Sequence, residues 1–307
     1  MEKSIGGRGC LEHIINRIRA AAKVSLPWAV FLCLFLLQDV NLLHASPPKP
    51  RPFKIAVLHC GDVVKSFELY TPLVRYLADQ TGFNIELAIM KDIAGLERSL
   101  QAGEIDFVLQ DSPHYVRYNA YYNRDLLLKE ITLDGKDTVT GMVIVRKDSP
   151  YQRIEDLADK KVQFGPTSSG VKWAAGRELF AEHGVLPDKN LKIYVGAGGC
   201  CEEIAFNVYF KKVDAGVICD HALQKIGKKG VIKIGELRTI GLTATIPSPV
   251  FAAAKHVAPD IVKAVMAACL SLDRTNPQYS QILSSMDLNA FAPTKDAAYD
   301  SLRNIVP

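Results

Sequence analysis

The sequence predicts an α/β protein made of two successive units. Three observations carry this. Short apolar runs alternate with segments whose apolar residues recur at helical spacing; the alternation stops at Arg146-Lys-Asp-Ser-Pro150 and starts again; and each series ends in a strand carrying an acidic residue. Those two strands read Gly103-Glu-Ile-Asp-Phe-Val-Leu-Gln-Asp and Lys212-Val-Asp-Ala-Gly-Val-Ile-Cys-Asp.

In the first series, Phe53 to Leu58 is a strand, and Phe67 to Thr81 a helix with Leu69, Leu73, Tyr76 and Leu77 on one face, ended by Gly82. Ile85 to Ile89 is the next strand. Ile93 to Ala102 is a helix stopped by Gly103, and Ile105 to Leu109 closes a βαβαβ unit expected to form a parallel sheet. A polar, aromatic-rich passage, His114 to Tyr122, separates this from a strand at Met142 to Val145. The second series runs through a strand at Val162 to Phe164, a helix from Val171 to His183, a strand at Leu191 to Val195, a helix from Glu202 to Phe210 and a strand at Val213 to Ile218. Each unit is about 100 residues, a usual domain size. Ala258 to Leu272 is helical and is expected to pack back on the first unit.

Composition narrows the class. With 307 residues, 48% hydrophobic and 23% charged, the chain can bury a full core. A net charge of +4 without a Lys/Arg block or an aromatic-interleaved basic stripe argues against a nucleic-acid partner. Arg17, Arg19 and Lys23 precede the apolar run Trp28 to Leu37, and Leu43-His-Ala45 precedes a proline-rich linker. This pattern predicts an export signal over residues 1–45, cleaved after Ala45, a linker at 46–52 and a periplasmic location; an uncleaved anchor is the alternative. The run is shorter than the ~20 residues of a comfortable membrane span. Cys10 and Cys33 leave with the signal, whereas Cys60, Cys200, Cys201, Cys219 and Cys269 remain. That odd number leaves at least one thiol without a partner cysteine in the chain.

Ligands of open α/β sheets bind beyond the carboxyl ends of strands. Gln110, Asp111 and Ser112 in one unit, and Cys219, Asp220 and His221 in the other, therefore fall where a cleft would be lined, although for any one of them taken alone a solvated loop residue is the better reading. The turn Gly165-Pro-Thr-Ser-Ser-Gly170 lies between a strand and a helix. Thr167, Ser168 and Ser169 suit N-capping, and they suit an anion held at free helix N–H groups; both readings are open from the turn alone.

Asp148-Ser-Pro, Ile154-Glu-Asp-Leu, Val162-Gln-Phe-Gly-Pro-Thr-Ser-Ser-Gly, Gly198-Gly-Cys-Cys-Glu, Lys212-Val-Asp-Ala-Gly-Val and Ile246-Pro-Ser-Pro, in that order, resemble the phosphate/phosphite/phosphonate-binding family of periplasmic solute-binding proteins over roughly residues 53–300. The resemblance implies a type II periplasmic-binding-protein fold, with two lobes, a two-strand hinge and an interlobe ligand cleft. It places lobe 1 at 53–142 with 243–307, and lobe 2 at 143–242. It implies anion binding at Thr167, Ser168 and Ser169, with capping by one hydroxyl compatible, and further ligand contacts at Cys201, Glu202, Asp220 and Ser248. From lobe 1, Ser112 is the expected contributor, with Asp111 or His114.

Against the family pattern, Cys201-Glu202 stands in place of a His-Asp pair, Asp220 in place of a Glu, Ser248 in place of an acidic residue and Ile93 in place of a pocket tyrosine. These changes remove an imidazole and a carboxylate that would suit an aminoalkyl-phosphonate. Thiolates are soft ligands, so Cys201 with Cys200 or Cys219 suits a thiophilic ligand such as arsenite or a sulfur species; a disulfide or simple burial is the structural alternative. The expected function is a solute-binding protein that delivers a small oxyanion to an ABC transporter permease. The alternative is a sensor of arsenite or a sulfur oxyanion that partners a membrane histidine kinase. An enzyme with Cys201 as nucleophile and His221 or Glu202 as base lacks a complete motif, and none is expected. No cofactor or metal is expected, and the protein is expected to be a monomer.

Overall fold

The computed structural model describes residues 51–58, 63–196, 200–286 and 288–303. The expected export signal, most of the linker and Cys60 lie outside them, as does the Ala-Gly-Gly that precedes Cys200. Among the described residues no helix is long and apolar enough to cross a membrane.

The chain forms β1 (Phe53–Leu58), α1 (Val63–Thr81), β2 (Ile85–Met90), α2 (Ile93–Gln101), β3 (Phe107–Gln110), α3 (Ser112–Tyr118) and β4 (Tyr122–Thr132). Next come β5 (Thr138–Val139), β6 (Gly141–Arg146), β7 (Lys161–Gln163), α4 (Gly176–Glu182), α5 (Pro187–Asn190), β8 (Lys192–Tyr194), α6 (Cys201–Tyr209), β9 (Ala215–Cys219) and α7 (Ala222–Lys228). The remainder is β10 (Leu237–Leu242), β11 (Ile246–Pro247), β12 (Val250–Ala254), α8 (Pro259–Leu270), α9 (Pro277–Ser285) and β13 (Leu288–Thr294).

The first sheet has the order β13-β4-β12-β3-β1-β2. Its β1, β2 and β3 are parallel, as expected. The sheet is nevertheless mixed: β12 returns from late in the chain and runs antiparallel between β3 and β4, with β13 antiparallel on the outer edge. Central strands covered on both faces are apolar throughout rather than alternating. Ile55, Val57, Phe107, Leu109 and Phe251 pack one way, onto Leu73 and Leu77 of α1 and Val262, Val265 and Met266 of α8. Ala56, Val108 and Ala252 face the other way, onto Leu96 and Leu100 of α2 and Tyr115 of α3. α8 thus packs on the first unit, as its sequence suggests.

The second sheet has the order β10-β6-β9-β7-β8, again mixed, with β7 parallel to β8 and β9 while β6 is antiparallel to β9 and β10. Along β6, Val143 and Val145 join Phe180 and Val217 on one face, and Ile144 joins Ile204 and Val208 of α6 on the other.

Two chain segments cross between the sheets. Thr138 and Val139 of β5 pair antiparallel with Pro247 and Ile246 of β11. Beside them, Gly141 N donates to Thr243 Oγ1 at 2.7 Å, and Thr243 N returns a bond to Gly141 O at 2.9 Å. A Cβ at position 141 would lie 2.7 Å from Thr243 Cγ2 and 3.0 Å from Val171 Cγ1, so this crossing needs glycine.

Candidate functional site

The carboxyl ends of β3 and β9 bring Gln110, Asp111 and Ser112 from one unit toward Cys219 and His221 from the other. With the Pro166–Lys172 turn, Glu130 and Thr132 of β4, and Ile246, Pro247 and Pro249 beside the crossing, they line a cavity of about 250 Å³. It lies beyond strand ends, where ligands of such sheets bind.

The Gly165–Gly170 turn settles its own local chemistry. Ser169 is an N-cap: its Oγ accepts from Lys172 N at 3.1 Å. Trp173 N and Ala174 N both donate to Ser169 O at 3.2 Å, so the chain opens on a wide, π-type turn over Gly170–Ala175 before α4 begins. Such bulged turns gather at functional sites. The N–H of Gly170 faces an anion, and that anion is part of the chain: Asp111 Oδ2 accepts from it at 3.1 Å. Nearby, His114 Nε2 lies 2.5 Å from Ser168 O; a carbonyl only accepts, so that nitrogen carries the proton. Position 170 needs glycine for this approach, because a Cβ there would lie 2.6 Å from Cγ of Pro113.

Buried polar groups are normally hydrogen-bonded, and the exceptions call for a reason. Two exceptions stand on the cavity wall: Gln110 Nε2 and His221 Nδ1 are buried and make no hydrogen bond among the described residues. The orientation of Gln110 is set by the Tyr122 hydroxyl, which donates to Oε1 at 3.3 Å and so turns the amide nitrogen the other way. Asp220 Oδ1 stands 3.5 Å from His221 Nδ1. Lys172, 6% exposed, also lines the cavity and folds its methylenes over Gly165. Facing them is Glu130, whose acidity burial weakens to a pKa of about 8, with the Asp111 carboxylate pushing the same way. It is therefore mostly a neutral acid at pH 7, able to donate a hydrogen bond.

The expected site residues divide. Ser112, Ser168 and Ser169 are on the wall. Ser112 Oγ is tied to Pro247 O at 2.7 Å, so the start of α3 is held against β11. Thr167 is exposed and outside the lining. Glu202 is also outside, in an ion pair with Lys229 at 2.6 Å. Asp220 is turned out of the lining, with Oδ1 accepting from His221 N at 2.9 Å. Cys219 closes β9 and His221 immediately precedes α7, and both line the cavity while Asp220 between them does not. Ser248, between Pro247 and Pro249, is also outside the lining, wholly buried and with its Oγ lacking a hydrogen-bond partner among the described residues.

Cys201 stands behind the wall rather than in it. Cys219 N donates to its Sγ at 3.3 Å. The neighbouring Cys219 thiol lowers the Cys201 pKa, outweighing burial and helped by Lys172 and His221, while Cys219 is raised in turn by its proximity to Cys201 and by burial. Lys172 and Glu130 were missed from sequence. Their signal was faint: one lysine in the small apolar stretch Gly170-Val-Lys-Trp-Ala-Ala and one glutamate in Leu126-Leu-Leu-Lys-Glu-Ile.

Residues 55–299 match the model of a family described as the ABC transporter phosphonate periplasmic substrate-binding protein. The chain is 25% identical over 312 aligned positions to the phosphate-import protein PhnD of Mycolicibacterium smegmatis, covering 94% of this chain and 96% of that protein. It is 21% identical over 241 positions to the phosphonates-binding periplasmic protein of Escherichia coli, covering 77% and 70% respectively. In fold it is similar to PhnD1 of Prochlorococcus marinus, solved in complex with methylphosphonate, with a TM-score of 0.71 at 14% identity over 84% of this chain and 97% of that one. It is similar also to a phosphonate-transporter binding protein of Pseudomonas aeruginosa, with a TM-score of 0.70 at 16% identity over 83% and 86%. The two-lobed type II binding-protein fold expected from sequence is thus the fold of the chain. The protein belongs to the phosphonate-binding family of periplasmic substrate-binding components of ABC transporters.

Proposed function

We propose that the cavity takes a small phosphorus oxyanion, of the phosphate, phosphite or alkylphosphonate class, and that the protein delivers it to a membrane permease after export directed by residues 1–45. The lobes are proposed at 53–142 with 243–307, and at 143–242; the membership of the two sheets supports this division. One observation carries the reading. Gln110 Nε2, buried and without a hydrogen-bond partner among the described residues, shares a cavity with His221, a buried lysine and a neutral carboxylic acid, which makes a set of polar groups that an oxyanion completes.

Asp111 gives the cavity its selectivity. A ligand oxygen takes the Gly170 N–H from Asp111, whose carboxylate is then an acceptor only. Hydrogenphosphate, phosphite and phosphonate monoanions carry a P–OH that can donate to it, and sulfate at neutral pH carries none. Ser168, Ser169 and Lys172 belong to this contact set, as does Ser112 through its hold on Pro247.

The test is thermal unfolding of ligand-stripped protein with millimolar phosphate, phosphite, methylphosphonate or sulfate. A ligand at 100 times its Kd stabilises the native state by about 2.7 kcal/mol. A rise in Tm of several degrees with at least one phosphorus oxyanion and none with sulfate is expected. Equal shifts with sulfate would remove the role of Asp111, and the absence of any phosphorus-dependent shift would remove the reading itself.

A further inference from the structure

One nucleophilic pair is left unused by anion binding. Cys201 opens α6 and Cys219 closes β9. The backbone N–H of Cys219 points at Cys201 Sγ from 3.3 Å. Both residues are partly exposed. Cys201 lies in the first turn of its helix, where free N–H groups favour negative charge, and Lys172 and His221 add positive potential. The other described cysteines are poor partners: Cys269 is buried in the core of the first sheet, and a bridge between the adjacent Cys200 and Cys201 would be strained.

We infer that Cys201 and Cys219 are a redox-active dithiol that closes to a disulfide joining the start of α6 to the end of β9, and that closure tunes anion binding in the adjoining cavity. In the forward step the Cys201 thiolate attacks one sulfur of an oxidising disulfide, such as oxidised glutathione or a dithiol oxidant protein, and one thiolate leaves. Cys219 then loses its proton to solvent, and its thiolate attacks Cys201 Sγ in the mixed disulfide, expelling the second thiolate. Two electrons pass from the pair to the oxidant, which is released as two thiols.

The consequence for the cavity rests on the oxyanion reading above. Cys219 and Lys172 are both on the cavity wall, and Lys172 interacts electrostatically with the Cys201 thiolate. The disulfide carries no charge. Oxidation therefore removes a negative charge from beside Lys172 and strengthens the positive potential felt by a bound oxyanion. The reduced protein binds the anion more weakly, and the oxidised protein more tightly.

The experiment equilibrates full-length mature protein in graded reduced and oxidised glutathione, quenches with acid, counts thiols by maleimide mass shift and maps the linkage by peptide mass. Loss of two thiols with a Cys201–Cys219 crosslink is expected; Cys200→Ser retains it, and Cys201→Ser and Cys219→Ser abolish it. Both thiols remaining free at the most oxidising ratio, or a bridge that maps to Cys200 or Cys60, would overturn the dithiol assignment. The mapping uses the unaltered chain, so a variant that fails to fold does not obscure it. Calorimetric titration of each redox form with methylphosphonate, phosphate and phosphite reads the coupling. A severalfold tighter Kd in the oxidised form is expected, and equal affinities would overturn the coupling. No binding by either form would overturn the oxyanion reading and the coupling with it, while the crosslink map would still decide the dithiol.

Discussion

At the scale of single residues, the site is a balance of charges held close together. Glu130 shows the sign of that balance. Its pKa rises from 4.5 to about 8 because burial disfavours the carboxylate and Asp111 repels it. Between those values the folded state keeps a proton that the unfolded state has lost, so Glu130 lowers stability as pH rises from about 4.5 to 8, and the loss levels off above that window. Glu130→Gln removes the slope. At pH 8.5 the variant is expected to unfold roughly 5 °C higher than the parent, corresponding to about 2 kcal/mol after allowance for residual solvent contact, with little difference at pH 5. Thermal melts at the two pH values check this; an equal difference at both would show that Glu130 does not titrate in the window. Residue-level legibility was uneven. Gln110, Asp111, Ser112, Cys219 and His221 could be placed on the cavity wall from the ends of two strands alone. Asp220 and Ser248 lie just past the ends of β9 and β11, where loop geometry that the sequence does not display sets which way a side chain points.

At the scale of elements, most boundaries follow local chemistry. Gly82 and Gly103 adopt φ of +70° and +66°, stopping α1 and ending the turn after α2, and the Asp92 carboxylate caps α2 by accepting from Gly95 N at 2.7 Å. The passage from His114 to Tyr122 concealed more structure than its composition suggested. Most of α3 lies there, and β4 starts at its end, with Asn123, Arg124 and Asp125 near the head of that eleven-residue strand masking it. β12 reads Val-Phe-Ala-Ala-Ala and carries no strand signal of its own; its place comes from being inserted between β3 and β4. The Gly170 turn tests how elements of both units meet. Gly170→Ala drives a methyl into the Pro113 ring, which is too rigid to yield. The variant is expected to lose about 1–3 kcal/mol of stability, typical of overpacking, and more than tenfold in affinity for methylphosphonate. Calorimetry and denaturant unfolding measure the two effects, and a variant that binds as the parent does would show that this contact is dispensable.

At the scale of the whole molecule, two sheets with separate cores are joined where Thr138–Gly141 crosses Thr243–Pro247, and the cavity draws on both sides of that crossing. A ligand stabilises a closed form only through contacts that the open form lacks. Gln110, Asp111 and Glu130 on one side, with Ser168, Ser169, Lys172 and His221 on the other, line the cavity and are the groups proposed to make such contacts. The direct links from Asp111 to Gly170 and from His114 to Ser168 hold the same surfaces together through the chain's own groups. Two α/β units and a cleft at their strand ends were legible in the sequence, because the apolar alternation repeats and restarts. The mixed strand order was not, since β12 and β13 join the first sheet from more than 100 residues away, by contacts that no local pattern encodes. The most direct test of the central claim is a crystal structure of the protein with methylphosphonate. The account requires the phosphorus inside the cavity, one oxygen on Gly170 N, Gln110 Nε2 and Lys172 within hydrogen-bond reach of the others, and Asp111 turned to the ligand hydroxyl. A phosphonate bound elsewhere, with the bond between Asp111 and Gly170 intact, would contradict it.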